Sequence, residues 1–218
     1  MKTKILIWGA SGHARVVANI ITLSEKYEIV GFIDDINPQR RGENFCGATI
    51  LGGREQLISL KAKGVDRIIL GFGDCWARLK LTDFVFKQGF SLVTAIHPSA
   101  IIASDVKIAA GTVVAAAAVI NPATEIGCNV IINTSASIDH ECVIAEGVHI
   151  CPGVHLAGKV TVGRLTCVGI GATVTDRICI GAGSIIGAGA VVVNDIPDGV
   201  IAYGVPAKII RSNNINGN

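Results

Sequence analysis

The chain has 218 residues, of which half are apolar and 17% are charged, and its formal net charge is +2. A charge so close to neutral gives no reason to expect nucleic-acid binding. The runs without charged or amide side chains, such as residues 108–120, are all shorter than the roughly 18 residues of a membrane-spanning helix, so we expect no membrane span.

The cysteines and the first residues of the chain indicate the cellular compartment in which the protein is expected. The seven cysteines form no CxxC pair, which is typical of reduced cytosolic thiols that act as small apolar side chains. Lys2 and Lys4 precede the apolar residues 5–8, but this run is too short for a signal peptide and no cleavage site follows it. We therefore expect a cytoplasmic protein.

The first hundred residues alternate between apolar runs and helical segments. The predicted elements are strands at 4–8, 29–33 and 67–71 and helices at 15–21 and about 76–88. Alternation of strand and helix is typical of a parallel sheet covered by helices. Residues 1–97 are therefore predicted to form a small, Rossmann-like α/β domain.

Loops at the ends of these strands could contact a nucleotide. Gly9-Ala10-Ser11-Gly12-His13 joins the first strand to a helix, whose first N–H groups can hold a phosphate. It has neither the GxGxxG pattern nor a Walker lysine, so a mere tight connection is an equal alternative. Asp34 and Asp35 follow the second strand, and Gly73 and Asp74 follow the third. Because these loops share one sheet edge, together they indicate a nucleotide site.

An aliphatic residue recurs at every sixth position from residue 102 to residue 192, sixteen times without a break. Neither an α-helix nor an alternating strand has this period. Three strand-and-turn units make a triangular coil of eighteen residues, and stacked coils bury one continuous apolar core. The period predicts a left-handed parallel β-helix of hexapeptide repeats over residues 98–200, followed by a C-terminal tail, 201–218.

His140 is the histidine whose surroundings best fit catalysis. Asp139 and Glu141 flank it, and a carboxylate favours the protonated form of a neighbouring imidazole. With eighteen residues per coil, Gly158 stacks next to His140 at about 4.8 Å. A base beside a bare backbone leaves room for a thioester and offers an N–H for its oxygen, as acyl transfer requires. For the histidine taken alone, a solvated surface position is the alternative.

The whole chain resembles the bacterial sugar acyltransferases that include sialic acid O-acetyltransferases and the N-acetyltransferases of nucleotide-linked 4-amino-sugars. The resemblance covers about residues 4–211. The segments that carry it lie in both predicted domains: Gly9–His13, Phe32–Asp35, Ile96–Ala100, Ile132–Thr134, Asp139–Cys142, Leu156–Gly158 and Gly204–Lys208.

This resemblance implies roles for residues of the β-helix. His140 would be the base and Glu141 its partner, while the Gly158 N–H would hold the acetyl oxygen. His149 would lie near the acetyl-CoA arm, and Asn121 near the sugar. For the nucleotide sugar, the resemblance further implies Gly12, His13, Asp34, Asp35, Gly73, Asp74 and Arg78. For the CoA phosphates, it implies the surface cations Lys159, Arg177 and Lys208.

The predicted function is direct transfer of acetyl from acetyl-CoA to the 4-amino group of a nucleotide-linked sugar, for bacterial surface glycan synthesis. A UDP-linked sugar is favoured and a GDP-linked one is possible. No acyl-enzyme is expected, because Cys142 falls at a core-facing position. A homotrimer is expected, because the apolar residues 113–117 would otherwise lie outside the triangle, uncovered.

Three alternatives stay open. The first is O-acetylation of a sialic acid or another sugar, and the second is a nucleotide-binding structural β-helix protein without activity. The third is a zinc hydratase, since carbonic anhydrases of this fold hold zinc with three histidines. His149 and His155 are six residues apart, however, which places them on successive faces, so we expect no metal.

Overall fold

The computed structural model describes residues 2–213, and the chain divides into two compact units, Met1–Pro98 and Ser99–Asn218. Each unit has its own buried apolar cluster. No helix within residues 2–213 has the length and apolar character to cross a membrane.

The N-terminal unit is built on a six-stranded sheet in the order β3-β4-β2-β1-β5-β6. Its elements are β1 (Thr3–Trp8), α1 (Gly12–Ser24), β2 (Tyr27–Ile33), β3 (Asn44–Phe45), β4 (Ala48–Gly52), α2 (Leu57–Ala62), β5 (Arg67–Leu70), α3 (Cys75–Lys87), β6 (Ser91–Leu92) and β7 (Ala95–Ile96), with 3-10 turns at Pro38–Arg40 and Arg54–Gln56. All pairs in this sheet are parallel except β3 with β4. The predicted parallel α/β fold is confirmed.

The central strand β1 shows why the strands of this sheet could be predicted from apolar runs in the sequence. Ile5, Leu6 and Ile7 are all fully buried, as expected for a parallel strand covered on both faces. The hairpin β3–β4 and the helix α2 were not predicted. These elements are two to six residues long, too short to show a clear hydrophobic period.

The second unit consists of two-residue strands that recur every six residues. They are β8 (Ile101–Ile102), β9 (Lys107–Ile108), β10 (Val113–Val114), β11 (Val119–Ile120), β12 (Glu125–Ile126), β13 (Ile131–Ile132), β14 (Ser137–Ile138), β15 (Val143–Ile144), β16 (His149–Ile150), β17 (His155–Leu156), β18 (Thr161–Val162), β19 (Cys167–Val168), β20 (Thr173–Val174), β21 (Cys179–Ile180), β22 (Ile185–Ile186) and β23 (Val191–Val192). Every third strand joins the same parallel sheet, which gives three faces. The predicted left-handed β-helix is confirmed.

Strand register confirms the coil length of eighteen residues. Ile120 pairs with Ile138, Ile138 with Leu156, and Leu156 with Val174. These side chains are at most 2% exposed and form part of a continuous aliphatic core. Positions eighteen apart are therefore direct neighbours on adjacent coils, which is the relation that builds the site described below.

Two sequence expectations need correction here. Residues 201–218 were set apart as a tail, but up to Asn213 they form β24 (Val200–Tyr203) and β25 (Lys208–Ser212), an antiparallel pair whose first strand continues the β22 sheet. In the stretch 113–117, Val113, Val114 and Ala115 are at most 1% exposed in the single chain. This stretch therefore gives no argument for a partner, because the chain itself covers most of it.

Candidate active site

The turn after β14 holds His140 in a fixed conformation. The Asp139 carboxylate accepts the His140 backbone N–H at 2.8 Å and the Asn121 side-chain amide at 2.9 Å. The backbone hydrogen bond, followed by that from Asn121, lowers the pKa of Asp139. Asn121 lies one coil below Asp139, as the repeat predicts, and there it anchors the turn that carries the histidine.

The imidazole of His140 is oriented by its neighbour. Nδ1 lies 2.9 Å from Glu141 Oε2, and Lys159 Nζ lies 3.5 Å from the same oxygen. The hydrogen bond from His140 lowers the pKa of the Glu141 carboxyl, and the Lys159 ammonium lowers it further. An ionised carboxylate can only accept, so Nδ1 carries the proton. In the neutral imidazole, Nε2 is then the nitrogen with a free lone pair, which can act as a base.

Gly158 lies directly against this basic nitrogen. A Cβ added at Gly158 would be 2.6 Å from His140 Nε2 and 2.7 Å from Cε1, closer than real Cβ contacts. The backbone does not demand glycine, since the equivalent turn positions one coil away carry Asp176 and, two coils away, Pro122. The missing side chain therefore makes room for the imidazole and for an atom that reacts with it.

The Gly158 N–H is available to a ligand. At the equivalent turn one coil below, the Asp139 carboxylate caps the His140 N–H, but Ala157, which precedes Gly158, has no side-chain oxygen that could do so. Within the described range 2–213, the Gly158 N–H has no hydrogen-bond acceptor, while its carbonyl accepts from the Arg177 N–H at 2.9 Å. This N–H can therefore donate to the oxygen of a bound thioester.

Cys142 does not have the properties of a nucleophile. It is fully buried, and its thiol donates to the Ala157 carbonyl at 3.2 Å. Burial raises the pKa of the Cys142 thiol, so little thiolate forms near neutral pH. The geometry around His140 thus fits direct transfer rather than a covalent enzyme intermediate.

In the N-terminal unit, the two aspartates after β2 differ. Asp34 is 6% exposed, and its carboxylate accepts from its own loop, from the Ile36 and Asn37 backbone N–H groups at 3.1 Å, and pairs with Arg40. The Asp34 carboxylate therefore stabilises its own loop, and because Asp34 also lines a cleft together with Asp35, its contact with a nucleotide sugar stays a prediction. Asp35 pairs with Arg54 at 2.7 Å and lines a cleft of about 280 Å³.

The polar groups of the loop after β5 also form hydrogen bonds within the loop and with the start of α3. Asp74 is the N-cap of α3 and accepts the Ala77 N–H at 2.6 Å. Arg78 is 1% exposed and donates to the Gly73 carbonyl at 2.6 Å. The buried Arg78 side chain therefore stabilises this loop, and its contact with a nucleotide stays a prediction.

At the start of α1 there is space for a ligand. A Cβ added at Gly12 would meet no atom within 4 Å, so the approach to the first turn is open. His13 follows in that first turn and is half-buried. The N–H groups at this helix start therefore stay the predicted phosphate site.

The three cations predicted to bind CoA are exposed, but the ion pairs of Lys159 and Arg177 involve different residues. Lys159 and Arg177 lie one coil apart, as predicted, yet Lys159 contacts Glu141 and Arg177 pairs with Asp176 at 3.1 Å. Lys208 is exposed on β25. The contact of Lys159 with Glu141 was missed from sequence, although the two residues are eighteen positions apart and so were readable as neighbours.

Residues 4–85 match the family model of the PglD N-terminal domain. A perosamine N-acetyltransferase from Caulobacter crescentus, solved with CoA and GDP-perosamine, is 39% identical with a TM-score of 0.90, covering 94% of this chain and 96% of that one. The acetyltransferase domain of PglB from Neisseria gonorrhoeae, solved with acetyl coenzyme A, is 35% identical with a TM-score of 0.90, covering 96% and 100%.

Curated sequences match over a shorter stretch. A 2,3,4,5-tetrahydropyridine-2,6-dicarboxylate N-acetyltransferase from Clostridium perfringens is 49% identical over 45 residues. That stretch covers 21% of this chain and 19% of the relative's length.

A left-handed β-helix preceded by a small α/β domain defines the hexapeptide-repeat acyltransferases as the class of this protein. Full-length likeness to the two solved enzymes narrows the class further. The chain belongs to the bacterial sugar N-acetyltransferases of the β-helix type, and it is an acetyltransferase that uses acetyl-CoA.

Proposed function

We propose that this protein is a cytoplasmic enzyme that acetylates the 4-amino group of a nucleotide-linked amino-sugar for a surface glycan. His140 Nε2 takes a proton from the amine as its nitrogen attacks the thioester carbonyl. The new C–N bond forms, the oxyanion accepts the Gly158 N–H, and the C–S bond then breaks. The imidazolium returns its proton to the departing CoA thiolate. The observation that carries this proposal is the contact of Nε2 with Gly158, while Glu141 holds Nδ1.

The acceptor is the part of the function to be tested first. The solved relative from Caulobacter crescentus contains GDP-perosamine, which supports a GDP-linked sugar beside the UDP-linked sugar that we favour from the sequence. A panel of UDP-, GDP- and CMP-linked 4-amino-sugars and free sialic acid, assayed with acetyl-CoA by thiol release, decides among them. Turnover of sialic acid alone would establish the O-acetyltransferase alternative, and no turnover with any acceptor would contradict the proposal.

Replacing Asp35 with asparagine tests the nucleotide site. Arg54 and its backbone N–H take three of the roughly four acceptor positions of the Asp35 carboxylate, which leaves one for a ligand. Loss of a charge-assisted hydrogen bond worth about 1.5–3 kcal/mol should raise the KM for the sugar nucleotide about tenfold or more. The KM for acetyl-CoA should stay the same.

The matched control for this experiment is Asp66→Asn, which changes an exposed aspartate paired with Arg67 at 3.4 Å in the same unit. Both KM values should remain at the wild-type level. If Asp35→Asn acts mainly on acetyl-CoA, the assignment of the two substrates to the two units is wrong.

Replacing Glu141 with glutamine is expected to lower kcat roughly tenfold without changing either KM. The amide keeps the size of the side chain but cannot stabilise the imidazolium by charge. The loss is moderate because the Glu141 side chain is 50% exposed and water can partly replace it. Glu146→Gln is the control, since Glu146 pairs with Arg164 at a similar exposure. Equal losses in both variants would contradict a specific role for Glu141.

A homotrimer is the expected assembly, with active sites between subunits. The side chain of His140 is 51% exposed in the single chain, although a charged intermediate is better stabilised away from water. Ile101, Val143 and Ile170 on the β-helix are also more than 40% exposed. Light scattering at micromolar concentration should give three times the chain mass. A monomeric mass would refute the expected assembly.

A further inference from the structure

The turn that carries Glu141 lies one coil below the turn that carries Lys159. The Lys159 backbone N–H donates to the His140 carbonyl at 2.9 Å, so the two coils are joined at this point. The Lys159 ammonium lies 3.5 Å from Glu141 Oε2, and the same oxygen lies 2.9 Å from His140 Nδ1. This shared carboxylate therefore contacts both the imidazole of the base and a cation from the next coil.

The backbone at this turn position favours glycine, yet charged residues occupy it. Glu141 and Lys159 have φ angles of +57° and +62°, in the left-handed region that glycine adopts without steric cost. At the corresponding turn position of another edge, the chain has glycine on three successive coils: Gly153, Gly171 and Gly189. The two charged side chains beside His140 are therefore present against the conformational preference of the backbone.

Neighbouring charged side chains along this edge of the β-helix have other partners. The Asp139 carboxylate accepts from the Asn121 amide at 2.9 Å. Arg177, two coils above, pairs with Asp176 at 3.1 Å. The coil below has the uncharged residues 122–123 at this turn. Among the residues that the structure describes, the imidazole and the Lys159 ammonium are thus the titratable groups in contact with the shared carboxylate.

The ammonium can act on the imidazole through the shared carboxylate. The hydrogen bond from His140 lowers the pKa of the Glu141 carboxyl, and the positive charge of Lys159 lowers it further. The carboxylate stays ionised and can only accept, which keeps the proton on Nδ1 and leaves Nε2 free. Because the side chains of the ion pair are about half exposed, the pair itself adds little to the free energy of unfolding. Its effect is therefore expected on the base and not on stability.

We propose that Lys159 is a positioning residue for the base, whose ammonium holds the Glu141 carboxylate against His140. This role is separate from the contact with CoA phosphates that the resemblance implies for the same lysine. It rests on the proposed function, in which His140 takes the proton of the amine. Exposed ion pairs typically change an equilibrium by no more than about fivefold, so loss of the ammonium should lower kcat about two- to fivefold.

The test variant is Lys159→Met, which keeps the length of the side chain and removes its charge. The fall in kcat with acetyl-CoA should be matched by an equal fall in kcat/KM with S-acetylpantetheine, a thioester without phosphates. Lys159→Arg, which restores the charge, should recover most of both, and the Tm should stay at the wild-type value. A higher KM for acetyl-CoA with unchanged rates on S-acetylpantetheine would show a lysine that serves only the phosphates, and would overturn the proposal.

The dependence of kcat on pH gives a second readout. A nearby cation disfavours protonation of an imidazole and of a carboxylate alike. The acid limb of the profile, which reports the coupled pair His140 and Glu141, should therefore move to higher pH in Lys159→Met. A two- to fivefold change in proton affinity corresponds to about 0.3–0.7 pH unit. A limb at the wild-type pH would contradict an action of Lys159 on this pair.

A double-mutant cycle tests whether the lysine acts through the carboxylate. In a Glu141→Gln background, Lys159→Met should lower kcat no further, a non-additivity expected for residues in contact. Lys107→Met is the matched control, because Lys107 also pairs with a carboxylate on the adjacent coil, that of Glu125. It should keep the wild-type kcat and pH profile. Equal losses from Lys159→Met in both backgrounds, or the same loss from Lys107→Met, would refute the proposal.

The carboxyl ¹³C resonance of Glu141, assigned by its loss in Glu141→Gln, gives a readout that needs no turnover. The pKa of this carboxyl should rise in Lys159→Met and stay the same in Lys107→Met, since the ammonium favours the ionised form. An unchanged titration would overturn this inference even where His140 is the base. A raised pKa in a protein that acetylates none of the acceptors would support the placement of Lys159 and contradict the proposed function alone.

Discussion

Replacing His140 with alanine should lower kcat by about two to four orders of magnitude, the range that loss of a general base usually produces. The variant keeps Gly158 and the surrounding turn but has no group that can take the amine proton. Both KM values should change little, because the imidazole acts mainly in the transition state. Steady-state rates of thiol release with each substrate varied in turn would measure both effects.

His155→Ala is the control for this experiment. His155 lies on β17, in the coil that also carries Gly158, and its Nδ1 lies 2.7 Å from Ser137 Oγ. It is an exposed histidine of the β-helix like His140. Within residues 2–213, its side-chain hydrogen bond is made to Ser137 and not to Glu141 or Gly158. Its loss should leave kcat near the wild-type value. If His140→Ala keeps more than a tenth of wild-type turnover, another group is the base.

Replacing Gly158 with valine should abolish most activity and leave the chain folded. Even the first carbon of the new side chain would stand 2.6 Å from His140 Nε2, so the imidazole must move away from its catalytic position. A shift of about 1 Å in the reacting groups can cost about 100-fold in rate. The remaining methyl groups would fill the space where the thioester lies, so the KM for acetyl-CoA should rise as well.

The fold should tolerate this change, since Asp176 and Pro122 occupy the equivalent turns. Asp176→Val places the same side chain one coil away and should be active. In a His140→Ala background the clash is absent, so any Tm loss from Gly158→Val should shrink, a non-additivity expected only for residues in contact. A stable and fully active Gly158→Val protein would refute both the oxyanion role and the placement of acetyl-CoA at this turn.

The repeat made the β-helix and part of its site readable without a structure. Strands two residues long and a coil of eighteen residues leave little freedom in register, so spacing alone places Gly158 beside His140 and Asn121 beside Asp139. The N-terminal strands were likewise readable, because buried parallel strands are apolar throughout. The predicted roles of these residues in catalysis remain for the experiments above.

Other features depended on side-chain directions and on contacts between residues distant in sequence, which spacing does not set. The loop around Asp34 closes on its own carboxylate, and Arg78 turns inward to the Gly73 carbonyl, so both side chains stabilise loops, which the sequence did not indicate. Val113 is covered by its own chain. The sequence indicated Cys151 and Cys167 only as small apolar residues. Their sulfurs lie 3.8 Å apart because the register of β16 with β19 places Cys167 beside the residues around His149.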